Sequence, residues 1–247
     1  TMILKKLGAL AKNLKSDYLR FIFEKNEIYI LLNSYIEHVK VKIRLDGTKL
    51  HSYYCESPQT IHVSYKNWET VIQKIDKDCE EFIICVDKNN LNKEINVILI
   101  NSYGIYNYLE VDVISTPPED MNVDLDDFDM LCDDNYDLIF TLPSASLKKI
   151  FGTEKNIDNN WKLQKDGKNG NIEFGYDSKN RQVRGRQVPA TGKKVIELIK
   201  NLKDDRTFLV NFRLDDIKPV TDTQLTNTMI FKATDNNQPL WLTALLD

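Results

Sequence analysis

Phe140-Thr-Leu-Pro-Ser-Ala-Ser-Leu-Lys-Lys-Ile-Phe151 shows how the chain is assembled. The apolar run over residues 138–142 predicts a strand, and Pro143, its φ already suited to a helix start, leads into a short helix over residues 144–151 that carries Lys148 and Lys149. A lysine-bearing helix followed by alternating strands also opens the chain. The order of elements in residues 1–114 recurs from about Asp137 onward, so the sequence is read as an internal duplication.

Two further helices share this character. In residues 65–79, Trp68, Val71, Ile72, Ile75 and Cys79 recur at helical spacing, Lys66, Thr70, Gln73, Lys74 and Lys77 fall on the other face, and Ser64 stands where an N-cap belongs. Near the N-terminus, Ile3, Leu4, Leu7, Ala11 and Leu14 form a stripe, with Lys5, Lys6, Lys12 and Lys15 spread along the segment. Val195, Leu198, Ile199 and Leu202 repeat the pattern among Lys193, Lys194, Lys200 and Lys203, which predicts a fourth helix over residues 190–203.

Most of the remainder alternates as strands do. Strands are expected over residues 19–24, 28–33, 38–45, 82–87, 95–101 and 106–114. In the second half they are expected over 138–142, 161–165, 171–176, 181–188, 207–212, 226–232 and 240–245. The expected class is α+β: two similar domains, residues 1–114 and 137–247, each with two short helices packed on antiparallel sheets. The joint between them, residues 115–136, is acidic. Glu119, Asp120, Asp124, Asp126, Asp127, Asp129, Asp133 and Asp134 occur there, with Asp137 just beyond, and without one Lys or Arg.

Composition limits the function classes. With 247 residues, 42% hydrophobic and 28% charged, the chain can bury one large core or two smaller ones. No apolar stretch approaches the length of a membrane helix, and the lysines spread over residues 2–15 are unlike the apolar centre of a signal peptide, so an intracellular protein is expected. Cys55, Cys79, Cys85 and Cys132 form no C-x-x-C pair, which fits reduced thiols and no zinc site. His38, His51 and His62 make no metal-binding or catalytic pattern. The nine glycines are too dispersed for a phosphate cradle, and the Asp-rich joint lacks EF-hand spacing. An enzyme, a cofactor and a metal are therefore not expected.

Charge separates by element. The four expected helices sum to +9 and everything else to −13, giving the chain its net −4. A lysine-rich face on one helix is ordinarily just a solvated face. Four such faces at parallel positions of a repeat point to a polyanion instead, held by diffuse Lys–phosphate attraction that tolerates sliding.

The order of elements, the duplication and three local strings resemble the sliding clamps of DNA replication, the proliferating-cell-nuclear-antigen class, including the divergent clamps of large DNA viruses. The strings are Asn33-Ser-Tyr-Ile-Glu-His-Val-Lys-Val41, the Phe140–Phe151 segment, and Gln238-Pro-Leu-Trp-Leu242. The resemblance implies a polymerase processivity factor: a head-to-tail homotrimeric ring, with helices lining a hole for double-stranded DNA held without sequence preference and sheets outside. It implies a DNA-facing role for Lys5, Lys6, Lys12, Lys15, Lys66, Lys74, Lys77, Lys148, Lys149, Lys193, Lys194, Lys200 and Lys203. It also implies subunit pairing of a strand bearing Glu110 and Asp112 with one bearing Arg181, Arg184 and Arg186, although these arginines precede an expected DNA-facing helix and could touch DNA instead. A pocket for DNA polymerase and other replication proteins is implied at His38, Val39, Val41, Val123, Leu125, Phe128, Pro239, Leu240 and Trp241. The expected location is the nucleus or a cytoplasmic viral replication site. The alternatives are a clamp-fold viral adaptor or late transcription factor that closes no ring, and an unrelated β-rich structural protein.

Overall fold

The structure is a computed structural model and describes residues 2–33, 40–87, 93–115, 136–152, 157–178, 184–187, 196–234 and 240–244. The chain divides into two compact units, Thr1–Asp124 and Leu125–Asp247.

The first unit begins with α1 (Met2–Leu14), which buries Leu7, Leu10, Ala11 and Leu14 and leaves Lys5 and Lys12 exposed. The helix ends where Lys15 turns left-handed at φ 52° and the Ser16 amide donates back to the Ala11 carbonyl at 3.0 Å, a Schellman-type stop. Strands β1 (Tyr18–Phe23), β2 (Glu27–Asn33), β3 (Lys40–Asp46) and β4 (Gln59–Ser64) then form an antiparallel sheet in the order β3-β2-β1-β4. β4 runs straight into α2 (Tyr65–Lys74), whose first turn is capped by Ser64 Oγ accepting the Asn67 amide at 3.2 Å. A second sheet follows, β5-β6-β7, from Cys79–Cys85, Glu94–Asn101 and Tyr106–Asp112.

Trp68 of α2 ties these layers together. It is fully buried, its ring lying 4.9 Å from Phe21 of the first sheet and 6.1 Å from Phe82 of the second. Truncating such a residue to Ala costs about 3–5 kcal/mol. The two helices also meet closely: a Cβ on Gly8 of α1 would stand 3.2 Å from Ile72 of α2.

The second unit repeats this arrangement. After β8 (Leu138–Pro143) comes α3 (Ser144–Gly152), then β9 (Ile157–Asp166), β10 (Ile172–Ser178), β11 (Arg184–Gln187), β12 (Glu197–Lys200) and β13 (Thr207–Arg213). β13 runs straight into α4 (Leu214–Thr223), and β14 (Thr228–Ala233) and β15 (Trp241–Ala244) follow. One sheet has the order β11-β10-β9-β13, matching β3-β2-β1-β4 strand for strand, and the other is β12-β8-β14-β15. The two sheets meet through aromatic rings. Phe140 stacks on its cross-strand partner Phe231 at 4.9 Å, and Phe174 of the other sheet meets both edge-on at 6.4 and 5.9 Å.

The α+β class and three of the four expected helices are present. The fourth corrects the sequence reading: residues 197–200 are a strand, and the helix is Leu214–Thr223. β12 pairs along β8, which otherwise has β14 on one side only, and this tertiary pairing overrides the helical spacing of residues 195–202. β4 was not expected either, although Ile61 and Val63 alternate there with Thr60 and His62.

Candidate nucleic-acid and partner surfaces

The lysines of the first unit lie mostly at the surface. Lys5, Lys12, Lys66 and Lys74 are exposed on α1 and α2, and Lys6 is half-buried. Lys15 and Lys77 are exposed in the turns after those helices rather than within them. Lys12 stands 3.9 Å from Glu69 of α2, whose carboxylate also accepts the Tyr65 hydroxyl at 3.1 Å. Burial and that carboxylate push the Tyr65 phenol up to about 12, so it stays a donor throughout the ordinary pH range.

In the second unit Lys148 and Lys149 are exposed on α3, entered from Pro143 as the sequence predicts. Lys200 lies on strand β12 and Lys203 is exposed just beyond it, so neither belongs to a helix. Lys193 and Lys194 lie outside the described residues. The helix at the corresponding place, α4, packs Ile217, Val220 and Thr221 inward and carries Asp215, Asp216, Lys218 and Asp222. By element the helices bear +3 on α1, +1 on α2, +2 on α3 and −2 on α4, so +4 replaces the +9 of the sequence reading. Acids in the first turn of α4 suit its macrodipole, and the same residues were the available signal for a helix start.

The strands named for subunit contact are sheet edges. β7 borders the β5-β6-β7 sheet with Glu110 and Asp112 exposed, and β11, which holds Arg184 and Arg186, borders β11-β10-β9-β13. Edge strands present unpaired amides and carbonyls to a further strand. Arg181 lies outside the described residues.

Of the residues named for partner binding, Val41 is half-buried on β3, Leu240 is half-buried just before β15, and Trp241 opens β15. His38, Val39, Val123, Leu125, Phe128 and Pro239 lie outside the described residues.

The burial of Lys165 and of His62 has no signal in the sequence pattern. Lys165 of β9 is 1% exposed, and its ammonium donates to the carbonyls of Gly167, Lys168 and Gly170 at 2.8, 2.8 and 2.6 Å. These carbonyls belong to the β9–β10 turn, where Gly167 takes φ 62°, a conformation costly for residues with a Cβ. His62 of β4 is buried opposite Arg20; burial first and the Arg20 charge second push its pKa down to about 4. Among the described residues no group of three or more His, Cys, Asp or Glu side chains converges to hold a metal, and no helix is long and apolar enough to cross a membrane.

Among the described residues, paired sheets with two helices per unit, repeated in one chain, give a PCNA-like clamp fold, and comparison with solved structures agrees. The crystal structure of PCNA from Thermococcus kodakaraensis superposes with a TM-score of 0.74 at 14% identity, covering 98% of this chain and 90% of that one. The proliferating cellular nuclear antigen of Entamoeba histolytica gives 0.72 at 16% identity, covering 97% and 89%. No protein-family model matches the sequence, and no curated protein matches it.

Proposed function

We propose that the chain is a DNA sliding clamp, a non-enzymatic processivity factor that surrounds duplex DNA and tethers a polymerase and other replication proteins. The observation that carries this reading is the combination of the full-length clamp fold with α1 and α3, at matching places in the two units, each bearing exposed lysines and no acid. Lysines spread along short helices attract phosphates without reading bases, as movement along DNA requires. Ring closure would use the β7 edge of one chain and the β11 edge of the next, a heterologous contact that closes by rotation. We place such a ring of three copies inside the cell, in the nucleus or at a cytoplasmic viral replication site.

The acidic α4 favours a second reading, a clamp-fold adaptor or late transcription factor that closes no ring, because acids facing a DNA hole would weaken retention. Primer extension on circular DNA with the matched polymerase separates the two. A clamp lengthens the products of single binding events; equal product lengths with and without the protein would rule this function out.

A further inference from the structure

The sheet β5-β6-β7 has one face packed on Trp68 through Phe82 and a second face turned outward. Register and burial identify the outward side. On β6, Ile95, Val97 and Leu99 are buried, while Ile98 and Ile100 alternate with them and are only half-buried. Ile98 pairs with Ile83 of β5 on one side and with Tyr108 of β7 on the other, forming one cross-strand row; Ile100 pairs with Tyr106 in the next. Ile83 is 36% exposed, Tyr106 56% and Tyr108 71%, and the two tyrosine rings stack with centroids 6.4 Å apart. Antiparallel sheets normally place polar side chains on a solvated face, so contiguous isoleucine and tyrosine rows mark a binding surface.

The charge around these rows names the partner. Strands β5, β6 and β7 contain Glu80, Glu81, Glu94, Glu110 and Asp112 and not one Lys or Arg. On the outward side, Glu81 borders the Ile100–Tyr106 row and Glu94 pairs with Asp112 beyond the other end. DNA is repelled by such a rim. The chain's own acidic stretch, residues 119–137, carries the same sign and is an equally poor cover. We propose that this face docks a segment of a partner protein in which aliphatic side chains are flanked by lysines or arginines. The apolar side chains would lie on the isoleucine and tyrosine rows, and the cations would meet the carboxylate rim. The proposal goes beyond the clamp reading: Ile83, Ile98, Ile100, Glu81 and Glu94 lie on β5 and β6, and of the named rim acids only Asp112 belongs also to the β7 edge assigned to ring closure.

The test uses the full chain and a labelled synthetic peptide alternating lysine with isoleucine and valine, with a glutamate-for-lysine peptide as control. Binding is followed by anisotropy and mapped by amide chemical shifts. The lysine peptide should bind, with shifts confined to β5–β7, and the glutamate peptide should not. Glu81→Lys with Glu94→Lys should weaken binding at least tenfold, and Ile83→Ser, an exposed change the fold tolerates, should weaken it several-fold. Unchanged affinity in these variants, or shifts on other sheets, overturns the proposal. Light scattering supplies an independent arm: if Ile83→Ser dissociates a multimer, the face is a contact between copies of this chain and the partner assignment is wrong.

Discussion

Lys165 donates its ammonium to the Gly170 carbonyl at 2.6 Å, five residues along the chain, from a side chain that water does not reach. With the bonds to Gly167 and Lys168 it satisfies three inward-pointing turn carbonyls at once. Burial pushes the lysine's pKa down, while the three acceptors favour the charged form. Lys165→Met removes the donor and leaves the acceptors unpaired, so urea unfolding should show a loss of about 3 kcal/mol. A loss under about 0.5 kcal/mol, the range of an ordinary surface substitution, would show that water takes the ammonium's place.

His62 gives the first unit an acid sensitivity of definite sign. Its pKa of about 4 when folded lies below the ordinary histidine value of 6.5, so between these pH values the unfolded chain binds the extra proton. The contribution of neutral His62 to stability is therefore fully present above pH 6.5 and is lost as the pH drops toward 4, by up to about 3 kcal/mol. His62→Gln should flatten that part of the melting temperature–pH curve. An equally steep curve in the variant would assign the effect to other groups.

Helix charge should tune DNA affinity in opposite directions at the lysine-bearing helices α1 and α3 and at the acidic α4. Lys5→Ala with Lys148→Ala should lower the slope of log affinity against log salt by about 2, one for each lost phosphate contact. Asp215→Asn with Asp222→Asn on α4 should strengthen binding to a short duplex. Anisotropy titrations over a salt series read both effects, and indifference to all four changes would place DNA away from these helices.

The β7 and β11 edges provide the assembly test. Arg184→Glu with Arg186→Glu places carboxylates opposite Glu110 and Asp112 of a neighbouring copy, so the assembled protein should become monomeric in light scattering. An unchanged mass would remove the β11 arginines from the interface.

What the sequence disclosed follows from how local each signal was. α2 was readable because Ser64 caps it, and Trp68, Val71 and Ile75 mark its buried side over little more than two turns. α3 was readable from Pro143 and the lysines that follow. α4 was hidden by Pro219, which lacks an amide and normally argues against a helix interior. Residues 193–203 have better helical spacing, yet Leu198 and Ile199 end 45% and 54% exposed on an edge strand. Spacing alone could not show that β8 would recruit them. The duplication itself held the correction, since in both units the strand that completes the four-stranded sheet runs without a loop into the second helix, at Ser64–Tyr65 and at Arg213–Leu214. The charged surfaces were read less well than the fold, because the lysine count was tied to a helix that lies elsewhere.

The net negative charge of α4 shows what duplication permits. α2 and α4 follow equivalent strands and both turn apolar residues inward, yet one carries a small positive charge and the other a negative one. The inward residues hold each helix on its sheets, while the remaining positions differ in charge between the units. In an assembly of identical single-unit pieces, any change to that helix would appear in every copy. Two units in one chain allow the charge of one helix to differ from that of its counterpart without a change of scaffold.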